Sequence, residues 1–254
     1  MIAQIRAELL KVRSTRTTIG LVLGMITLIL LFSVLSGLAR SSSALTGRAH
    51  QLELLNIGNL AGAFSAMAGV LLVTSEYRYG TIRPTVLFTP ARSRVLAAKL
   101  VAASLTGVTF GVIGEGLGWA VGYTILELRG IPFALTSGDI ELLALGGLSG
   151  IATWAAIGAG LGAIIRNQVG GIIALLAWGF VVDNLLFGLV PSIGRFTPTR
   201  AQDALIDMRT AHLLSPGVGA LVLLAWIALL ATIGLALRDH PRTRWGSRSY
   251  VSLG

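Results

Sequence analysis

The sequence contains no cysteine, and it is also poor in histidine and in charge. The absence of cysteine excludes disulfide bonds, a thiolate nucleophile and a cysteine-ligated metal. The three histidines, His50, His212 and His240, are too widely separated in the sequence to indicate a metal site. Charged residues make up only 12% of the chain, and soluble domains usually carry about twice that fraction. A soluble globular domain is therefore not expected.

Long apolar runs separate the few charges, and the mean hydropathy is +0.80. Each run has about 20 residues, the length that an α-helix needs to cross the hydrocarbon core of a bilayer. The alternating segments of a membrane β-barrel are missing. We therefore predict an all-α integral membrane protein, with residues 1–254 as a single transmembrane domain. Its six transmembrane helices are expected at about 18–39, 54–74, 100–126, 142–165, 169–190 and 217–237.

The segment before the first span, residues 1–17, has the pattern of an interfacial amphipathic helix. Its apolar residues Ile2, Ile5, Leu9 and Val12 recur on one helical face, and basic residues occupy the remainder. A helix of this kind lies in the headgroup plane. The alternative is the charged start of a signal peptide, but the apolar run that follows is too long for one.

Polar segments connect the spans. Residues 75–94 form the densest polar cluster, and Lys99, early in the third span, is expected to extend its ammonium to the cytoplasmic interface. Residues 191–216 are predicted to contain a short interfacial helix with Thr199 as its N-cap. Residues 238–254 form a basic tail.

The distribution of basic residues predicts the orientation. The N-terminal segment, the region up to Lys99, the turn at Arg166 and the C-terminal tail hold fourteen Lys and Arg, against six in the other connections. Basic residues favour the cytoplasmic side. Both termini are therefore expected in the cytoplasm, which agrees with an even number of spans.

Small residues are frequent within the fourth span, where Ala155, Ala159 and Ala163 repeat every four residues, as do Gly158 and Gly162. Such patterns let helix backbones approach closely in lipid. We favour packing within the chain over a dimer interface.

Two carboxylates lie inside predicted spans. Glu115 is about 24 Å beyond Lys99 along the helix, and Asp183 precedes Asn184 in the fifth span. A charge at the bilayer centre costs at least ~2.5 kcal/mol, so each carboxylate should face the protein interior, a wet cavity or a partner, or be protonated. These three residues either line a translocation path or form structural hydrogen bonds, and the sequence favours neither.

The chain lacks the motifs of membrane enzymes. A nucleotide-binding P-loop needs Gly before Lys, but Lys11 follows Leu10 and Lys99 follows Ala98. The G-x-S-G sequence around Ser149 resembles an intramembrane serine protease, yet no histidine lies in any span to serve as the base. We read Ser149 as a small packing residue, and we expect any ATP hydrolysis to occur in a partner.

The residues of the polar cluster at 75–94 form a more regular pattern than a simple connecting loop needs. Glu76 and Arg78 are able to pair, Gly80 permits a sharp bend, and Pro84 and Pro90 bound a short segment. From these residues alone, docking of another protein and plain anchoring at the membrane are equally favoured.

The sequence resembles the membrane permeases of type-2 ATP-binding-cassette (ABC) exporters over nearly its whole length. The loop matches the family pattern at Glu76, Gly80, Thr81, Leu87, Pro90, Arg92, Arg94 and Lys99. Pro84 departs from the pattern, which implies a shortened helix. The resemblance implies that the loop is a cytoplasmic coupling helix, seated on an ATPase subunit. Its implied contact residues are Glu76, Arg78, Gly80, Thr81, Arg83, Pro90, Arg92 and Arg94. The resemblance further implies that residues 191–216 form a hairpin of short helices at the outer face.

The resemblance also implies the partners and the location. The chain would be a non-enzymatic permease in the bacterial cytoplasmic membrane, paired with a second permease chain, identical or related, and with ATPase subunits that bind ATP and Mg²⁺. It would bind no cofactor itself and no nucleic acid. Family members export drugs, peptides, lipids and other cargo, and no residue here selects among them. The alternative function is a secondary transporter or channel that needs no ATPase.

Overall fold

The computed structural model describes residues 1–80, 92–206 and 213–239, and every regular element within these ranges is helical. The elements are α1 (Ile2–Ser14), α2 (Arg16–Ala39), α3 (Ser42–Leu45), α4 (Arg48–Leu55), α5 (Ala61–Arg78), α6 (Arg92–Leu128), α7 (Ser137–Ile165), α8 (Gln168–Ala177), α9 (Asp183–Leu189), α10 (Pro191–Gly194), α11 (Pro198–Leu205) and α12 (Pro216–Asp239).

Six helices within the described ranges are long and apolar enough to cross a membrane. They are Arg16–Ala39, Arg48–Arg78, Ser93–Leu128, Ser137–Ile165, Gln168–Leu189 and Pro216–Leu237. The predicted all-α, multi-pass architecture is confirmed at this level. The spans flanking the predicted loop 75–94 are longer than expected, because α5 continues to Arg78 and α6 begins at Arg92.

The second spanning helix is built from two α-helices joined by a 3₁₀ turn, Asn56–Leu60. This turn contacts α6 so closely that a Cβ at Gly58 would lie 2.5 Å from the carbonyl oxygen of Gly114. Any larger residue at position 58 would therefore displace α6.

The helices α5, α6 and α7 form the centre of the bundle, and α2, α8 and α12 surround them with most of their surface exposed. The fourth-span residues Ala155, Ala159 and Ala163 are fully buried in a cluster with Leu72, Val73 and Leu96. The backbones of α5 and α7 touch, since a Cβ at Gly158 would lie 2.0 Å from the carbonyl oxygen of Ala66. The interpretation of the small residues as intramolecular packing is confirmed. Ser149, in contrast, is exposed and donates to the carbonyl of Leu145, so its packing role is wrong.

The connection between α7 and α8 is the predicted tight polar turn. Arg166 takes the left-handed conformation (φ 56°) that ends α7, and the side chain of Asn167 accepts a hydrogen bond from Gly170 N at 2.8 Å to begin α8. The predicted short helix within 191–216 is present as α11, although its N-cap is Thr197 and not Thr199, because Pro198 occupies the first helical position.

The two ends of the bundle differ in how their charges are compensated. At the end away from α1, Arg40 pairs with Glu53, Arg48 with Asp139, and Arg200 with Asp203. Arg129 donates to the carbonyls of Gly37 and Arg40 at the end of α2, where the helix dipole favours a cation. At the α1 end the exposed residues Arg6, Arg13 and Arg16 form no ion pair with any described residue.

The contact between α5 and α7 predicts a sharp difference between two glycine substitutions. Gly158→Ala places a methyl group against a backbone carbonyl, and overpacking of this kind costs ~1–3 kcal/mol. Gly116→Ala on α6 meets nothing within 4 Å and should be nearly neutral. Thermal unfolding of both purified variants checks this, and equal midpoints would contradict the close helix contact.

Candidate functional site

A network of four alternating charges joins α1, α5 and α6 at one end of the bundle. The ammonium of Lys99 lies 2.9 Å from Glu8 Oε2 and 2.8 Å from Glu76 Oε1. The ammonium of Lys11 lies 3.1 Å from Glu8 Oε1 and 2.9 Å from Glu76 Oε1. Each carboxylate thus contacts both ammonium groups, and the network is neutral overall.

Burial makes this network different from surface ion pairs. The side chain of Lys99 is 0% exposed and that of Glu76 is 3% exposed. Lys11 is the member of the network that lies at the protein surface, with its side chain 53% exposed. Burial alone would lower the pKa of Lys11, but the hydrogen bonds and negative charges of Glu76 and Glu8 raise it above its usual value, so this lysine stays charged. A buried charge is tolerated only when it is paired and hydrogen-bonded.

The sequence of α1 explains how Glu8 reaches the network. Ile5, Glu8, Leu9 and Val12 lie on one helical face, and the three apolar residues pack against the buried cluster around Leu96. A helix is present at the predicted place, Ile2–Ser14, and its apolar face packs partly against α5 and α6. Its position in the headgroup plane stays a prediction. Ile2 remains 84% exposed.

Two other predictions at this site are corrected. Lys99 does not extend to the interface, since Glu8 and Glu76 hold its ammonium inside the protein. Glu76 does not pair with Arg78, because the two side chains point to different sides of α5. Arg78 is exposed and donates instead to the side chain of Gln168 at 3.0 Å.

The remaining loop candidates lie mostly beyond the described residues. Thr81, Arg83 and Pro90 fall in the gap, and for Arg92 only its place in α6 is described. Gly80 ends the described part of the loop with φ +71°, a conformation that favours glycine. Arg94 is exposed on the first turn of α6. Their role in ATPase contact stays a prediction.

Glu115 faces the bundle interior, as one of its predicted alternatives required. It is 7% exposed and lies against Gly147 of α7, where a Cβ would be 2.5 Å from Glu115 Oε1. The carboxyl group therefore fits only because residue 147 has no side chain.

Asp183 and Asn184 contact a single arginine of the short helix α11. Arg200 Nε lies 3.5 Å from Asp183 Oδ2, and a second guanidinium nitrogen donates to Asn184 Oδ1 at 2.8 Å. The guanidinium also stacks 4.4 Å above the ring of Phe187. These contacts attach α11 to α9, which favours the structural alternative for both residues. Whether they or Glu115 line a translocation path stays a prediction.

A cavity of about 560 Å³ lies toward the end of the bundle away from α1. Its walls are apolar and come from α2, α5, α7 and α8, with Phe32, Leu60, Trp154 and Phe180 as the largest side chains. Polar groups gather at one edge: Asn56, Asn59, Thr199, Gln202 and Asp203. Glu115, Asp183 and Asn184 are not among its lining residues.

The wall of this cavity includes an irregular turn that the sequence did not reveal. Trp178–Val182 form a π-helical turn between α8 and α9, and Gly179 and Phe180 within it line the cavity. The amide of Asn184 donates to the carbonyl of Phe180 at 3.1 Å. Turns of this type recur at functional sites.

A second cavity, of about 410 Å³, lies at the α1 end and borders the ion network. It is rich in hydroxyl groups, with Ser14, Thr15, Thr17, Thr18 and Ser75 among its lining residues. Both cavities are lined by α2, α5 and α8. Along α5 their walls come from 62–63 and from 68–78, about 7.5 Å apart at 1.5 Å per residue. The two cavities therefore follow one seam of the bundle.

Sequence reasoning missed three members of the site for identifiable reasons. Glu8 and Lys11 looked like surface charges of an amphipathic helix, and Arg200 looked like a loop residue. The available signal for Glu8 was its position between Ile5, Leu9 and Val12 on the apolar face. A carboxylate on such a face needs a buried cation. Lys99, early in the third predicted span, was the cation to which the sequence assigned no partner.

Comparison with protein-family models gives no match to the chain, and comparison with curated protein sequences gives none either. The resemblance to ABC permeases therefore rests on the residues quoted above.

The buried network predicts a large cost for removing one member. Lys99→Met leaves two buried carboxylates with only Lys11, and breaking a buried pair in this way costs ~3–5 kcal/mol. The matched control is Arg40→Met, which breaks a pair whose side chains are 28% and 47% exposed and should cost ~0–1 kcal/mol. Unfolding of the purified variants measures both effects.

A double variant tests whether the four charges act together. Glu76→Gln combined with Lys99→Met removes one charge of each sign, so it should be more stable than Lys99→Met alone. If the two single effects simply add, the groups do not form one network.

Proposed function

We propose that this chain is the permease subunit of an ATP-driven exporter of the type-2 ABC class, in the bacterial cytoplasmic membrane. In this proposal a separate ATPase subunit binds ATP and Mg²⁺ and contacts the loop between α5 and α6. The chain contributes the translocation path and the coupling elements but performs no hydrolysis itself.

The buried ion network is the observation that supports this proposal most directly. Glu76 lies at the end of α5 and Lys99 near the start of α6, so the two residues flank the loop at 79–91. Because separating these charges is costly, a force on the loop moves the end of α5 and the start of α6 together. Glu8 and Lys11 extend the same connection to α1. Three helices are thus mechanically joined at the point where the resemblance implies ATPase contact.

The compensation of charge supports the proposed orientation, with both termini in the cytoplasm. Arg40, Arg48, Arg129 and Arg200, at the far end, are engaged by carboxylates or carbonyls. Arg6, Arg13 and Arg16, at the α1 end, carry charge that no described group offsets. Uncompensated basic charge near span ends favours the cytoplasmic side.

The seam between α2, α5 and α8 is the proposed translocation path. Its two cavities lie toward opposite ends of the bundle, and the far cavity combines apolar walls with a polar edge. Such a surface suits an amphipathic cargo, such as a drug, a peptide or a lipid. A second permease chain, placed against the exposed faces of α2 and α8, would enclose the seam.

Photo-crosslinking in cells tests the ATPase partner. A photoreactive amino acid in place of Arg83 should capture a protein that contains a nucleotide-binding P-loop, identified by mass spectrometry. The same group in place of Thr46, which is exposed at the far end, is the matched control and should capture none. Capture of lipid alone at position 83 would refute ATPase coupling.

The orientation has its own test because the chain contains no cysteine. A single cysteine at position 83 should react with a membrane-impermeant maleimide only after the cells are opened. A single cysteine at position 46 should react in intact cells. The reverse pattern would place the loop outside the cytoplasm and exclude the proposed mechanism.

The seam predicts a pattern of water access along α5. Ala63→Cys and Ser75→Cys, one in each cavity, should react with a water-soluble maleimide in purified protein. Ala120→Cys, exposed on α6 but outside both cavities, should react at least tenfold more slowly if lipid covers it. Equal rates at the three positions would contradict a hydrated path along the seam.

A further inference from the structure

A third cavity lies away from the seam, between α1, α2 and α6. It has a volume of about 430 Å³ and is lined by Leu9, Val12, Arg13, Thr18, Ile19, Val22, Leu23, Thr106, Thr109 and Phe110. It shares only Val12 and Thr18 with the seam cavities. It is therefore not part of the proposed path.

This third cavity is a groove whose walls behave as an apolar surface, although two threonines of α6 belong to them. The hydroxyls of Thr106 and Thr109 donate to the carbonyls of Ala102 and Leu105 in their own helix. Neither hydroxyl is therefore free to donate to a bound molecule. The groove is suited to a hydrocarbon chain.

The mouth of the groove carries one charge, that of Arg13. This side chain is exposed and forms no ion pair with a described residue. Arg13 belongs to the last turn of α1, and Arg16 begins the first spanning helix three residues later. Arg13 therefore lies at the depth of lipid headgroups, with the apolar groove extending from it into the membrane-spanning part.

The surfaces on both sides of the groove are also apolar and exposed. Ile19 and Leu23 of α2 are 56% and 58% exposed, and Val108 and Val112 continue this surface on α6. In a chain with six spanning helices such surfaces contact lipid. The groove therefore opens directly to the bilayer.

We propose that this groove binds one anionic phospholipid, whose phosphate contacts Arg13 and whose acyl chain lies between α2 and α6. Guanidinium groups bind phosphate through charge-assisted hydrogen bonds. A bound lipid at this position fills the space beneath α1 and so supports the helix that carries Glu8 and Lys11. The site does not depend on the proposed transport function.

Lipid binding to the full-length, delipidated chain tests the site, with native mass spectrometry as the readout. Phosphatidylglycerol and phosphatidylcholine of identical acyl chains are compared. Phosphatidylglycerol should bind more tightly, and Arg13→Gln should weaken its binding about fivefold, the effect of one basic residue at an anionic surface. Phosphatidylcholine binding should change little in this variant.

Two further variants separate the groove from general surface charge. Arg16→Gln removes another exposed arginine that does not line the groove, and it should weaken phosphatidylglycerol binding less than Arg13→Gln does. Thr109→Trp fills the groove and should weaken binding of both lipids. Thermal unfolding confirms that each variant is folded.

The proposal is overturned by either of two results. Equal losses in Arg13→Gln and Arg16→Gln would mean that the lipid responds only to diffuse positive charge. Unchanged binding of both lipids in folded Thr109→Trp would mean that no acyl chain occupies the groove.

Discussion

The structure depends on four charges that would be unfavourable separately and are favourable only together. Glu8, Lys11, Glu76 and Lys99 come from three helices, and none of the three can leave without breaking an ion pair of the buried Lys99 or Glu76. Apolar contacts in a membrane supply little preference for one helix arrangement over another, since lipid is as apolar as leucine. The network supplies that preference at the α1 end.

The far end of the bundle also holds its helices together through polar contacts. Arg48 contacts Asp139, which also forms a capping box with Thr136 at the start of α7. Arg200 holds the short helix α11 to α9, and Gln202 on α11 hydrogen-bonds to Asn59 of the 3₁₀ turn. The polar edge of the far cavity is thus a by-product of the contacts that fix α11. The same polar side chains thus hold α11 in place and line the far cavity.

Much of this fold follows from the sequence, because apolar length and the spacing of small residues are local properties. The six spans, the turn at Arg166 and the packing role of Gly158 all belong to this class. The ion network was harder to predict from the sequence, since pairing between Glu8 and Lys99 joins residues 91 positions apart. The contacts of α1 with α5 and α6 were also not predictable, because an amphipathic helix has the same pattern whether lipid or protein covers its apolar face. The π-helical turn had no recognisable signal, as its residues Trp178–Val182 read as an ordinary apolar run.

The contact between α5 and α7 has a consequence for movement. Helices whose backbones meet without intervening side chains cannot slide past one another, because each ridge would collide with the facing carbonyls. The glycines at positions 69 and 158 therefore make α5 and α7 a single stiff body, to which the 3₁₀ turn adds α6. Any movement within the bundle is therefore expected in the spans that contain α2, α8 and α12, which are 17% buried or less, and the fifth of the six spans is irregular at its π-helical turn.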